Sequence, residues 1–424
     1  MKVSDSVEPR VLSRAEHSFS RKQVDDNALK VLYRLSRAGK KAYVVGGGVR
    51  DVLLGLTPKD FDISTDARPE DVRRLFRNSR IIGRRFRLVH VFFQTGVVEV
   101  STFRAAPDPD AQRGGPSDLL ITDDNVFGSP REDAFRRDFT INALFYDIST
   151  FSVIDYVGGI EHLEMRLIET IGDPDLRFCE DPVRMMRACE LAGRLDFSIA
   201  PATQEAIQRH HKELDKAAPA RVTEELIEIL RCGRAGTALD WMQDLGLLDV
   251  LVPELAAIPE LDRRGLGPFD RLTSALDRLA AADGGLSDCA VLASILLPAA
   301  LLRRFDREQA LGRPLKRGQI KRMVEELVAT FAARFQLSRF RAEGVLDALI
   351  AFHRLGETTW APAEKGRFVR RQSFRDALVL LGLLAEVTGE GGDALERWQA
   401  YSDLPVDEPV RPVRRRRRRR RRRR

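Results

Sequence analysis

Tyr43-Val-Val-Gly-Gly-Gly-Val-Arg-Asp-Val-Leu-Leu-Gly55, followed by Lys59-Asp-Phe-Asp-Ile63, is the stretch on which the reading of this chain turns. Tyr43 to Val45 reads as a strand running into three glycines, and Arg50 and Asp51 open a helix that continues through Val52 to Leu54. Asp60 to Ile63 reads as a second strand. Side chains alternate across a strand, so Asp60 and Asp62 share one face while Phe61 and Ile63 turn to a core. Two neighbouring carboxylates repel each other unless a cation lies between them. Mg²⁺ suits such a pair, because it binds one or two carboxylates together with substrate phosphate oxygens. The glycine turn offers backbone N–H groups that phosphates can approach closely. The combination implies metal-assisted chemistry on a nucleoside triphosphate.

Working outward, 424 residues imply two to four domains with ample core. The formal net charge is +7, yet Arg414 to Arg424 is an unbroken arginine run longer than that excess. The rest of the chain is therefore net acidic. A block of like charges repels itself, reads as disordered, and attracts polyanions. With a nucleotide site upstream, Arg414, Arg415 and Arg416 are expected to bind RNA. The four cysteines and six histidines show no zinc spacing. Reduced thiols, no leader and no spanning segment point to a cytoplasmic, non-membrane protein.

The pattern predicts an α+β organisation. A flexible extension covers 1–24. A small α/β nucleotidyltransferase-type head covers 25–160. Its first helix carries Ala28, Val31, Leu32 and Leu35 on one face and ends at Gly39. A helix near Glu70 to Phe76 follows. Leu88 to Gln94 and Val97 to Phe103 form a hairpin through Thr95-Gly96. A Pro-, Asp- and Gly-rich loop spans 105–125, and Phe139 to Asp147 begins as a helix. Helical periodicity then dominates, giving a neck at 161–235 and a body at 236–400, both read as RNA-binding. A linker and the arginine tail occupy 401–424.

Three further clusters carry chemistry. Glu99 sits mid-strand opposite the buried Val98 and Val100, where a neighbouring strand would bring it beside Asp60 and Asp62. Three carboxylates hold two metal ions, one activating a hydroxyl and one neutralising the leaving pyrophosphate. Arg136-Arg-Asp138 can grip phosphate or a ribose hydroxyl, and Asp138 can cap the helix after it. In Glu180-Asp-Pro-Val-Arg-Met-Met-Arg187, Asp181 is placed as an N-cap with Pro182 first in the helix. Asp181 and Arg184, three apart, would share a face and read a base edge.

In this order the clusters resemble the tRNA nucleotidyltransferase and bacterial poly(A) polymerase superfamily over roughly residues 17–260. The resemblance implies triphosphate binding by Gly47, Gly48 and Arg50. It implies metal binding by Asp60 and Asp62, with Asp138 or Glu99 completing the acids. It also implies sugar contact by Arg137, base selection by Asp181 and Arg184, and a neck-bracing motif at Arg221 to Leu226. Glu190 and Leu191 depart from the family's arginine and phenylalanine, which puts a basic contact there in question. The segment Ile81 to Phe93, the Lys59 to Asp62 context, His17 to Lys22 and the arginine-rich end resemble the poly(A) polymerase I branch. That implies a monomeric adenylyltransferase using ATP and Mg²⁺ on RNA 3′ ends, with RNA-degradation proteins as possible partners. CCA addition to tRNA is the alternative enzyme, and a catalytically silent RNA-binding protein is the alternative of another class.

Overall fold

The computed structural model describes residues 8–83, 87–105, 126–257, 269–281, 286–357, 360 and 362–402. Arg414, Arg415, Arg416 and most of the 105–125 loop lie outside them.

The head is built on a mixed sheet. Its strands are β1 (Arg10–Leu12), β2 (Ala42–Val45), β3 (Asp62–Thr65), β4 (Ser79–Ile82), β5 (Leu88–Phe93), β6 (Gly96–Thr102), β7 (Leu144–Asp147) and β8 (Ser152–Asp155). They are ordered β1-β8-β7-β2-β3-β6-β5-β4. All pairings are antiparallel except β3 with β6, which run parallel. Val44, Ile63 and Val100 are adjacent in register and fully buried. Ala28, Val31, Leu32 and Leu35 of α1 (Asp26–Arg37) join the same core. These apolar residues recur at helical spacing, so one stripe of the helix is withdrawn from water against the sheet. On the opposite face Val45, Phe103, Ala134 and Phe145 form a second core.

Around the sheet lie α2 (Gly47–Leu53), α3 (Pro69–Leu75), α4 (Pro130–Phe135) and α5 (Gly159–Glu164). The neck follows with α6 (Pro174–Glu180), α7 (Val183–Leu195), α8 (Pro201–His210) and α9 (Pro219–Arg231). Then come α10 (Ala235–Asp244) and α11 (Leu247–Leu251). Beyond them run Asp288–Leu311, Arg317–Arg334, Arg339–Leu355 and Gln372–Thr388, all helical. Gly193 lets α7 and α10 meet backbone to backbone, since a Cβ there would lie 2.6 Å from the Ala238 nitrogen. A continuous apolar core links head, neck and body.

The structure departs from expectation in four places. Phe139 to Asp147 is not a helix beyond one 3₁₀ turn, Thr140–Asn142. Leu144 to Asp147 is instead a strand, because it finds ladder partners on both sides, β2 and β8. Inter-strand pairing here overrides the local helical pattern. The helix after β2 begins at Gly47 rather than at Arg50, leaving Gly46 (φ 71°) as the glycine that turns the chain. Strand β3 begins at Asp62, with Asp60 ahead of it. Two short strands, Leu167–Ile168 and Ser198–Ile199, pair in parallel beyond residue 160.

Candidate active site

A cleft of about 1520 Å³ opens where the ends of β2 and β3 face α7, α9 and the Gln372–Thr388 helix. Gly46, Gly47, Gly48, Arg50, Asp60, Asp62, Arg137, Asp138, Asp181 and Arg184 all line it. Residues more than a hundred positions apart are thus gathered around one cleft.

Asp60 and Asp62 face this space with no hydrogen bond or ion pair to any described residue. Burial raises the affinity of both for a proton. For Asp62 the negative charges of Asp60 and Glu99 add to burial, against the pull of Arg137 and Arg187, and carry its pKa to about 6. The protein thus holds two anions close together without neutralising them, the situation a bound cation relieves. Phe61, between them, packs on the core and fixes the backbone.

Of the two candidate third acids, Glu99 lies on the strand beside Asp62 and its charge acts on both aspartates, although it does not line the cleft, whereas Asp138 lines the cleft but is engaged by other partners. Glu99 lies opposite His90 in the β5–β6 ladder, and their side chains meet at 2.9 Å. Asp138 is buried. It accepts from the Phe139 N–H at 2.8 Å and from Asn142 Nδ2 at 3.1 Å, and it lies 3.2 Å from Arg187. Burial opposes its charge, but Arg187 and these donors outweigh it and hold its pKa below the ordinary value. Asp138 caps no helix. Among the described residues no three acidic, His or Cys side chains cluster closely enough to hold a metal ion. Two hard carboxylates completed by phosphate oxygens still fit Mg²⁺.

The glycines set the cleft floor. A Cβ on Gly46 would lie 3.0 Å from Arg137 Nη1. One on Gly48 would lie 3.1 Å from Phe61 Cδ1 and 3.2 Å from the Asp60 carbonyl oxygen. Arg50 is buried and donates through Nε to Asp51 at 2.8 Å and through Nη1 to Asn142. Its charge is matched within the fold. Arg137 donates to Asp133 at 3.0 Å and lies over the Phe145 ring. Arg136 is half-buried, and desolvation together with the charges of Arg104, Arg137, Arg184 and Arg177 pushes its pKa down to about 8. An anion in the cleft would find a strongly positive wall there.

The base-reading pair is arranged differently from expectation. Asp181 ends α6 instead of capping α7. Its carboxylate takes two parallel hydrogen bonds from Arg221 of α9, at 2.6 and 2.8 Å. Arg184 pairs with Glu180 at 3.3 Å and donates to the Arg177 carbonyl at 3.0 Å. Asp181 closes α6 and Pro182 opens α7, and the Asp181 carboxylate turns to α9.

Several cleft residues escape a reading from sequence. Arg187, Leu191 and Arg194 join Arg184 in lining the cleft from α7, at helical spacing along one face. That spacing is a usable signal. Arg194 binds Glu190 at 2.7 Å and Asp51 at 3.3 Å, supplying a cation where the departure at Glu190 puts one in question. Asn142 belongs to no motif, and Glu225 falls within the Arg221 to Leu226 stretch without being singled out there. Glu225 has its pKa raised to about 7 by burial, with Arg187 opposing.

Comparison with known proteins gives this site a context. Residues 42–169 match the family described as poly A polymerase head domain. Residues 196–258 match the family described as "Probable RNA and SrmB- binding site of polymerase A". The poly(A) polymerase I of Salmonella typhi is 47% identical over 250 residues, covering 58% of this chain and 54% of that protein. A CCA-adding enzyme of Bacillus licheniformis is 37% identical over 220 residues, covering 52% and 54%. The chain thus spans about half the length of the curated relatives it matches. The crystal structure of the Bacillus stearothermophilus CCA-adding enzyme in complex with CTP superposes with a TM-score of 0.62 at 28% identity. It covers 89% of this chain and 82% of that one. Residues 42–169 and 196–258 thus belong to families of poly(A) polymerase, in a chain that is similar over about half its length to poly(A) polymerases and CCA-adding enzymes alike.

Proposed function

We propose that this chain transfers nucleotides from nucleoside triphosphates to RNA 3′ ends without a template. The observation that carries the reading is the pair Asp60 and Asp62, whose carboxylates have no hydrogen-bond or ion-pair partner among the described residues, set in a cleft that arginines and further acids also line. Asp60 and Asp62 would hold Mg²⁺, which when bound withdraws charge from the triphosphate and acidifies the attacking 3′-hydroxyl. Asp62 must shed its proton first, which it does near pH 6. Gly46 to Gly48 keep the floor free of side chains where the triphosphate lies. Arg137 and the low-pKa Arg136 neutralise it, and electrostatic positioning of this kind carries most of phosphoryl-type transfer. Asp181, oriented by Arg221, and Arg184 present an acceptor and a donor to the base. Asp138 holds Arg187 in place rather than meeting a metal.

Two products are open to this scaffold. Coverage supports CCA addition to tRNA, since the solved CCA-adding enzyme superposes over head, neck and body alike. Identity supports adenylate addition, at 47% against 37%. The deciding experiment offers ATP and CTP separately to an unstructured oligoribonucleotide and to a tRNA lacking its CCA end. Adenylate ladders on both RNAs mean a poly(A) polymerase. Two C residues and one A on the tRNA alone mean the CCA-adding activity. No incorporation from any triphosphate overturns the proposal.

A further inference from the structure

The arginines of the cleft are mostly matched by acids: Arg50 by Asp51, Arg137 by Asp133, Arg184 by Glu180, Arg187 by Asp138 and Arg221 by Asp181. Arg375, on the body side of the same cleft, makes no ion pair or hydrogen bond with any described residue. Arg370 and Arg371, in the turn just before the Gln372–Thr388 helix, are exposed and equally without side-chain partners among the described residues. Three unneutralised guanidiniums therefore fall within six residues.

Their position links two cavities. Gln372 and Arg375 line the active-site cleft. Arg371, the residue before Gln372, lines a second cavity of about 330 Å³ with Arg354, Glu364, Arg367 and Phe368. There the Arg354 guanidinium lies 4.4 Å over the Trp360 ring and 5.0 Å over that of Phe368. Its Nη2 pairs with Glu364 at 2.7 Å, while its Nε is buried with no hydrogen-bond partner among the described residues. The body wall of the cleft is itself rigid: the buried Asp376 accepts from Ser287 at 2.8 Å and from Gln372 at 3.1 Å. The first turn of the Gln372–Thr388 helix contains no acid to offset these cations. That is the end of a helix where positive charge is unfavourable. Local stability does not account for the arginines, whereas a polyanion threaded past them does.

We infer that Arg375, Arg371 and Arg370 form a phosphate track that leads single-stranded RNA out of the active-site cleft to the Arg354 cavity, holding nucleotides upstream of the reacting 3′ end. The inference rests on RNA being the acceptor. A cation track with an arginine-stacked aromatic pocket matches how single strands are held without sequence preference.

The test measures binding of 5′-labelled oligoribonucleotides of increasing length to the full chain, without metal or triphosphate. Wild type gains affinity as the oligomer outgrows the cleft. The triple variant Arg370→Gln, Arg371→Gln, Arg375→Gln forfeits that gain, on the order of tenfold for the long oligomers. Its salt slope flattens by about 0.7 for each phosphate that is no longer neutralised. A triple lysine variant keeps the slope. A dinucleotide binds the wild type and the glutamine variant alike, and all three exposed positions leave the melting temperature unlowered. An unchanged length dependence and slope overturns the inference. So does an equal loss on the dinucleotide, or a preference of the track for polyglutamate over RNA. Because no turnover is read, failure of nucleotide transfer would remove the proposed activity while leaving this result to stand or fall alone.

Discussion

Arg187 Nη1 lies 3.2 Å from Asp138 Oδ2, so one ion pair ties the neck helix α7 to the last residue of the head's Arg-Arg-Asp motif. The carboxylate is buried and the guanidinium is half-exposed. Removing the acid strands a charge whose partner is gone, while removing the arginine strands a buried anion. Asp138→Ala is expected to lower unfolding free energy by roughly 2 kcal/mol, below the usual cost of breaking a fully buried pair because Arg187 keeps some solvent. Denaturant melts measure this. The folded pKa of Asp138 lies below its ordinary 3.8, so its contribution is complete above 3.8 and fades as pH falls further. The gap between wild type and Asp138→Ala should therefore narrow in acid.

Asp62 has the opposite sign. Its folded pKa, about 6, is above the ordinary 3.8. Its charged form therefore penalises the metal-free fold, starting above 3.8 and reaching full size above about 6. Asp62→Asn should raise the melting temperature at about pH 8 in chelator and leave it unchanged near pH 3. Mg²⁺ should stabilise wild type but not the variant. Wild-type turnover should climb with pH through about 6 as the carboxylate becomes free to bind metal.

Arg221 grips Asp181 by two parallel bonds, a geometry that lysine lacks. Arg221→Lys should let Asp181 turn, raising KM for the preferred triphosphate about tenfold, the value of one charge-assisted hydrogen bond of ~1.4 kcal/mol. Discrimination against GTP and UTP should fall with it. Steady-state kinetics with each triphosphate checks both. An unchanged preference with unchanged KM would separate this pair from base selection.

Gly48 packs against the Asp60 carbonyl and Phe61. Its added Cβ would fall 3.1 to 3.2 Å from backbone and ring atoms that cannot swing away. Gly48→Ala should shift the carboxylate segment and reduce turnover by roughly 10²-fold, the scale of a ~1 Å misplacement of reacting groups. Gly55→Ala is the contrasting variant. It is strained by its φ of 75° but has nothing near it, and should cost stability without that loss of rate.

What is legible in the sequence follows from what is local. The α1 stripe, the β5–β6 hairpin and the closeness of Asp60 to Asp62 rest on spacing of a few residues, whereas the gathering of Arg137 and Arg184 around them is implied only by the family resemblance. Phe139 to Asp147 misleads because its strand exists only through partners a hundred residues away in β2 and next door in β8. Sequence spacing pairs Asp181 with its neighbour Arg184, whereas its partner in the fold is Arg221, forty residues on. Glu99 falls on the correct face, but the cross-strand His90 that it meets is set by the hairpin register and not by any motif. The α7 arginines are visible at helical spacing, whereas Asn142 and Glu225 acquire meaning only once head and neck close around the cleft.

The proposed activity depends on the Asp60–Asp62 pair holding metal for nucleotide transfer to an RNA 3′ end. The most direct measurement is Mg²⁺-dependent incorporation of labelled nucleotide into RNA by wild type and Asp62→Asn, with RNA and triphosphate binding measured on both. The variant is expected to fold, bind RNA and extend it at least ~10³-fold more slowly, the several kcal/mol that a positioned metal supplies. Wild-type rates from Asp62→Asn, or undiminished wild-type extension in chelator, would contradict that dependence.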